Sequence, residues 1–280
     1  MTIENTKENK KQLKELFLCY YPSLDNHKIM QLSYDILSKE CKVSQTNLHN
    51  FLEAAISKYN DIPYHNATHG FNALYNGNIL LKLINKPNNE RQVKFIFLVC
   101  CLLHDIGHPG VICYGHEKID LENHHAELIK KLLSKFLPEY VTEVNIKLIT
   151  ELILSTNLNL HSELLNTFKY KYLGHKSKNN IEHNSIDLTM LIKIADIGAS
   201  YKKFDDFMCG SKKLEEEMFG KNTEDTSKRL EKDKSFLINY SLPLAEVFST
   251  VFTDFKFLHE QAIENLRKIK KYNKKYYLKK

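Results

Sequence analysis

Apolar residues recur at spacings of three and four along most of this chain, and only nine glycines and six prolines interrupt its 280 residues. A chain patterned this way buries its apolar faces by packing helices, and it offers little support for strands. The spacing predicts helices over about 5–20, 25–39, 44–59, 67–84, 91–105, 121–136, 139–156, 183–200, 201–219 and 242–272. The punctuation falls between them, at Asn85-Lys86-Pro87-Asn88-Asn89, at the Gly107-His108-Pro109-Gly110 turn and in the polar connector Gly174 to Asn184. The expected fold is all-α, a compact multi-helix bundle. Neither an internal repeat nor a low-complexity linker divides the chain, so 1–280 reads as one unit, with the first sixty residues a candidate helical subdomain.

Several function classes fall away on composition. The most apolar run, Val93 to Leu103, contains Lys94 and falls short of the ~20 residues a membrane span needs. Met1 to Lys14 is polar and mixed in charge, unlike a secretory signal. The six cysteines show no CxxC spacing, which suits free thiols in a reducing cytoplasm. The formal charge of +6 is concentrated in a basic tail: Arg267 to Lys280 holds eight Lys/Arg and no acid. The rest of the chain is not basic, so no nucleic-acid partner is expected. The tail reads as a solvated helix end, with contact to RNA or an anionic membrane as the alternative.

Chemistry concentrates between His65 and His125, which enclose seven of the thirteen histidines together with Asp105 and Glu122. His65 and His69 are four apart, so a helical turn puts both imidazoles on one side. One can bind metal while the other faces substrate, although such a pair is as often structural. His104-Asp105 follows the apolar run Phe95 to Leu103, and a charged pair at the end of a buried helix is costly unless neutralised. Both can ligate one ion, and the second carboxylate oxygen can bridge to another. Asp196, in Leu191-Ile192-Lys193-Ile194-Ala195-Asp196-Ile197-Gly198, repeats that logic as a fourth ligand. The resulting N2O2 set suits zinc, and a bridging carboxylate with waters suits magnesium or manganese. Leu121-Glu122-Asn123-His124-His125 opens a helix that can bring Glu122 and His124 beside the metals, with Glu122 supporting a ligand or orienting water. His125 is expected to point elsewhere. For it and for His27, His49, His116, His161, His175, His183 and His259 a surface or core role is the default reading.

Together these residues resemble the HD-domain phosphohydrolases and, within them, the class I cyclic-nucleotide phosphodiesterases. Tyr64-His65-Asn66 with His69 resembles a YHNxxH box, His104-Asp105-Ile106-Gly107-His108-Pro109-Gly110 resembles HDxxHPG, and Leu121 to His125 resembles LENHH. The likeness runs from about Tyr64 to Gly198 and continues more weakly at Ser235-Phe236 and Pro243-Leu244. It implies an HD-type helical bundle binding two divalent ions, Zn2+ and Mg2+ or Mn2+, with His69, His104, Asp105 and Asp196 on the first and Asp105 bridging to the second. It implies His65 as general acid, Glu122 and His108 as supporting catalytic residues, and Tyr64, Asn123, His124 and Phe236 at the nucleotide, Phe236 as a clamp on the base.

The chain also departs from that pattern. The family's purine-selecting glutamine has no counterpart near position 233, where Glu231-Lys232-Asp233-Lys234-Ser235 stands; Gly198-Ala199 replaces a Ser-Asn pair, and Asn157 replaces an acid. The resemblance implies hydrolysis of cyclic AMP or cyclic GMP to the 5′-monophosphate. The altered base pocket keeps open another phosphohydrolase substrate (a nucleoside monophosphate, a cyclic dinucleotide or a protein-linked phosphoribose) or a nucleotide-binding protein without turnover.

Overall fold

The computed structural model describes residues 6–84, 91–110, 120–174, 185–220 and 226–277. Two of the expected connectors, 85–89 and 175–184, lie outside these residues, as do His116, His175 and His183. The chain runs through α1 (Lys7–Phe17), α2 (Asn26–Leu37), α3 (Gln45–Ile56), α4 (Ala67–Ile84), α5 (Arg91–Leu103), α6 (Leu121–Phe136), α7 (Glu143–Leu154), α8 (His161–Leu173), α9 (Ile186–Asp196), α10 (Phe204–Phe219), α11 (Thr226–Phe236), α12 (Leu242–Val251) and α13 (Lys256–Tyr277). No strand occurs among the described residues, and no helix there is long and apolar enough to cross a membrane. Side chains start several helices where the sequence offers a short polar residue: Thr6, Asp25, Ser44, Asp120 and Thr142 each accept a hydrogen bond from the backbone N–H three residues on.

Three elements differ from the sequence expectation. Residues 161–173 form α8, whose buried His161, Leu164, Leu165 and Phe168 follow helical spacing in an otherwise polar segment. The α11 segment buries only Leu230, so it lacks the apolar stripe by which helices are read. The single helix expected over 242–272 is two, because Phe252 leaves helical geometry (φ −111°, ψ 85°) and a short 3-10 turn follows. Neither glycine nor proline marks that break. Asp254 in the turn pairs instead with Lys10 and Lys14 of α1 at 2.6 and 3.5 Å.

The centre of the molecule is α4, packed between α5 and α9 with α1 and α2 against its outer side. Residues from the first sixty are tied to it: Asn72 exchanges side-chain hydrogen bonds with the backbone of Tyr21 (3.1 and 2.9 Å), and Thr68 accepts from the Leu24 N–H at 3.2 Å. Phe95 to Leu103 of α5 is buried throughout.

Gly70 sets how closely α4 approaches the end of α5. A methyl group there would lie 2.3 Å from the Leu102 carbonyl oxygen and 2.6 Å from the Tyr59 hydroxyl, which itself donates to that carbonyl at 2.6 Å. Gly70 stands next to His69, and Leu102 is two residues before His104, so this contact also sets the spacing of the two histidines. Gly70→Ala is expected to destabilise the fold by about 1–3 kcal/mol, the usual cost of forcing atoms into a filled interior. A thermal melt with an unchanged midpoint would show that the helices are not in contact there.

Candidate metal centre and catalytic cleft

Three segments converge at one point. His69 lies in the first turn of α4, His104 and Asp105 continue the buried helix α5 into a turn, and Asp196 is the last residue of α9. Each is fixed locally. Asn66 accepts hydrogen bonds from the backbone N–H groups of Thr68 and His69 (3.0 and 3.2 Å), capping α4. The turn after Asp105 needs Gly107, whose φ of 74° disfavours a side chain. Asn76 of α4 donates to the Ala195 carbonyl at 3.0 Å and accepts from buried Lys202 at 2.6 Å, anchoring the end of α9. The glycine at 198 lets Asn76 sit there, since a methyl group would fall 2.1 Å from its amide nitrogen.

The donor atoms of these four residues nearly touch. His69 Nε2 lies 3.1 Å from His104 Nε2, 3.2 Å from Asp105 Oδ2 and 3.3 Å from Asp196 Oδ1, and His104 Nε2 lies 3.0 Å from Asp105 Oδ2 and 3.1 Å from Asp196 Oδ1. Atoms spaced in this way border a centre about 2 Å from each, the bond length of a divalent ion to imidazole nitrogen and carboxylate oxygen. The His104 Nδ1–H donates to the Cys101 carbonyl at 3.0 Å, so a neutral His104 turns the lone pair of Nε2 towards the other donors. Acceptors aimed at one another require positive charge between them. Burial lowers the basicity of His104, yet the two carboxylates override it and raise its pKa well above the usual histidine range. Burial likewise opposes ionisation of Asp105, and the two histidines still hold it well below the carboxylate range. The set fits a divalent cation in its donor types and its spacing.

A second cluster of donor groups adjoins the first, formed by His65, His108 and Glu217. Both oxygens of buried Glu217 are engaged: one accepts from the backbone N–H groups of Tyr64 and His65 (2.8 and 2.9 Å), the other faces His65 Nδ1 at 2.7 Å. Burial would raise its pKa, but these bonds and the His65 imidazole bring it down to about 2. His65 precedes α4, in the turn at residues 63–66, so only His69 of the pair is helical; their rings lie 5.7 Å apart. The His65 ring stacks on His108 (4.2 Å, 19°). Burial, then the charge of His65, pushes His108 down to about 4. His108 accepts at Nδ1 from the Gly110 N–H at 3.0 Å.

Both clusters face a cleft of about 550 Å³. Tyr64, His65, Asp105, His108, Glu122 and Asp196 line the polar side, and Phe207, Leu214, Met218 and Phe236 the apolar side. Asn123 and His124 lie elsewhere: they are exposed on the first turn of α6, and Asn123 bonds to Asp120 at 2.6 Å. His125, expected to point away, is buried on the cleft wall because the Ile106 carbonyl takes its Nδ1–H at 2.7 Å.

Two buried residues behind the cleft wall escaped the sequence reading. Glu217 follows two other glutamates, but Phe207, Gly210, Leu214 and Glu217 repeat at helical spacing, which marks it as the one facing inward. Lys193 is 2% exposed and donates to the carbonyls of Ser155 (2.7 Å) and Asn157 (3.2 Å), holding the turn after α7 against the cleft. Burial lowers its pKa to about 8.

Residues 64–262 match the family described as 3'5'-cyclic nucleotide phosphodiesterase. The chain is 30% identical over 216 residues to the Plasmodium yoelii cGMP-specific 3',5'-cyclic phosphodiesterase gamma, a match spanning 68% of this chain and 27% of that protein. It is 25% identical over 211 residues to cGMP-specific 3',5'-cGMP phosphodiesterase 3 of Dictyostelium discoideum, with 66% and 44% covered. These matches occupy less than half of each relative. In fold, the chain is similar to the crystal structure of the phosphodiesterase domain of Salpingoeca rosetta rhodopsin phosphodiesterase, with a TM-score of 0.82 and 18% identity over 96% of both chains.

Proposed function

The chain belongs to the 3'5'-cyclic nucleotide phosphodiesterase family, and on that premise we propose that it opens the cyclic phosphate of cyclic AMP or cyclic GMP to the 5′-monophosphate in the cleft described above. The observation that carries this reading is the convergence of His69, His104, Asp105 and Asp196 beside a histidine already paired with a buried acid. The two clusters are consistent with a two-cation site. We assign Zn2+ to the four-residue set, which His69, His104, Asp105 and Asp196 would hold, and Mg2+ or Mn2+ to a second ion that Asp105 would share. A divalent ion there supplies a Lewis acid that acidifies water and offsets charge developing on the phosphoryl oxygens.

The remaining steps belong to the side chains. Glu217 occupies Nδ1 of His65, which leaves Nε2 to give a proton to the departing O3′. Positive charge on that ring is balanced across a 2.7 Å contact. Glu122 and His108 orient water on the polar side, while Tyr64 and Phe236 bound the nucleotide. The chain then works as one catalytic unit in a reducing cytoplasm.

The test is turnover of cyclic AMP and cyclic GMP by the purified chain with zinc, magnesium and manganese supplied, the product resolved by chromatography. The expected product is the 5′-monophosphate, formed only with a divalent ion present and lost on chelation. Turnover that survives complete chelation, or none on either nucleotide with every metal supplied, overturns the reading.

A further inference from the structure

The cleft's apolar side carries few polar side chains able to read a base. Phe207, Leu214, Met218 and Phe236 are apolar, and Lys232 is drawn off over the Phe219 ring at 3.7 Å. What remains on α10 and α11 is one pair: the Ser211 hydroxyl donates to Asp233 Oδ2 at 2.6 Å. Asp233 and Phe236 are three apart on α11 and both line the cleft, so they share a face about 4.5 Å apart along the helix axis. A flat ring lying on Phe236 therefore presents its edge to Asp233. No ion pair holds this carboxylate among the described residues, for Arg229, one turn earlier, pairs with Glu215 at 3.4 Å.

We infer that Asp233 selects guanine, making cyclic GMP the preferred nucleotide of this site. The inference rests on the phosphodiesterase reading above. An ionised carboxylate only accepts hydrogen bonds. Guanine alone among the common bases offers two adjacent donors on its pairing edge, N1–H and the N2 amino group, which match the two oxygens. Adenine offers one donor beside the N1 lone pair, which a carboxylate repels; cytosine does the same at N3, and uracil has a single N–H. Ser211 fixes the carboxyl plane with its own O–H, leaving Oδ1 and the second lone pair of Oδ2 for the base. Burial raises Asp233 to about 6, against the hydrogen bond from Ser211 and the charge of Arg229, so the group is ionised at neutral pH.

The experiment compares kcat/KM for cyclic GMP and cyclic AMP at pH 7.5, in the wild type and in Asp233→Asn. The wild type is expected to favour cyclic GMP by roughly ten- to a hundredfold, the discrimination of one bidentate base contact. An asparagine offers one donor and one acceptor and can meet either purine, so its ratio is expected to fall to within a few-fold of one. Each ratio is taken on a single protein sample, and a partly unfolded variant leaves it unchanged. Equal rates in the wild type, or the same ratio in both proteins, overturn the inference while leaving the phosphodiesterase reading intact. If neither nucleotide turns over, that reading fails instead, and calorimetric titration with GMP and AMP decides the inference: tighter GMP binding that Asp233→Asn abolishes supports it, and equal binding overturns it.

Discussion

Asp105→Ala is expected to remove turnover and bound metal together. Asp105 stands within 3.2 Å of both histidine donor atoms, and the proposed function gives its second oxygen the role of serving a neighbouring ion. Its loss would leave three donors in the four-residue set and remove the carboxylate proposed to serve the second ion. The negative charge facing His69 and His104 is also cut to Asp196 alone, so attraction for any cation weakens. Elemental analysis should find the variant depleted in divalent metal, with activity at background. The fold should survive, because the buried run Phe95 to Leu103 ends before this residue; a circular dichroism spectrum like that of the wild type would show it. Unchanged metal content would reject the ligand assignment.

His65→Ala is expected to separate what Asp105→Ala loses together. His65 lies outside the four-residue cluster, so metal should remain while turnover falls by about a hundred- to ten-thousandfold, the usual contribution of a positioned acid. Glu217→Gln tests the same pair from the other side. An amide removes the negative charge that faces the His65 ring, so turnover should fall while the metal content stays that of the wild type. In the wild type, Glu217 sits below the ordinary glutamate range. Its contribution to stability is therefore present at neutral pH and lost as pH falls towards 2. Full activity in His65→Ala would mean that another group protonates the leaving oxygen.

The sequence made the polar residues of the cleft legible to different degrees, and the differences have physical causes. His104, Asp105 and Asp196 stood out because a charge at the end of an apolar helix needs a partner, and the fold gives each one partners near 3 Å. Glu217 was hidden among three glutamates, and its partner His65 lies 152 residues away in sequence, a contact that local spacing cannot reveal. The polar helix α11 was missed altogether, since packing against α10 and α13 rather than an apolar stripe holds it in place. That helix carries both Phe236 and Asp233. The break between α12 and α13 was invisible for a similar reason, because an ion pair to α1 accompanies it and no breaker residue does.

The claim on which the rest depends is that one cation sits among four side chains. Crystals soaked in zinc and measured for anomalous scattering at the zinc edge test it directly. The account predicts a peak about 2 Å from each of His69 Nε2, His104 Nε2, Asp105 Oδ2 and Asp196 Oδ1. A peak elsewhere, or none in crystals of a protein that hydrolyses its nucleotide, would contradict it.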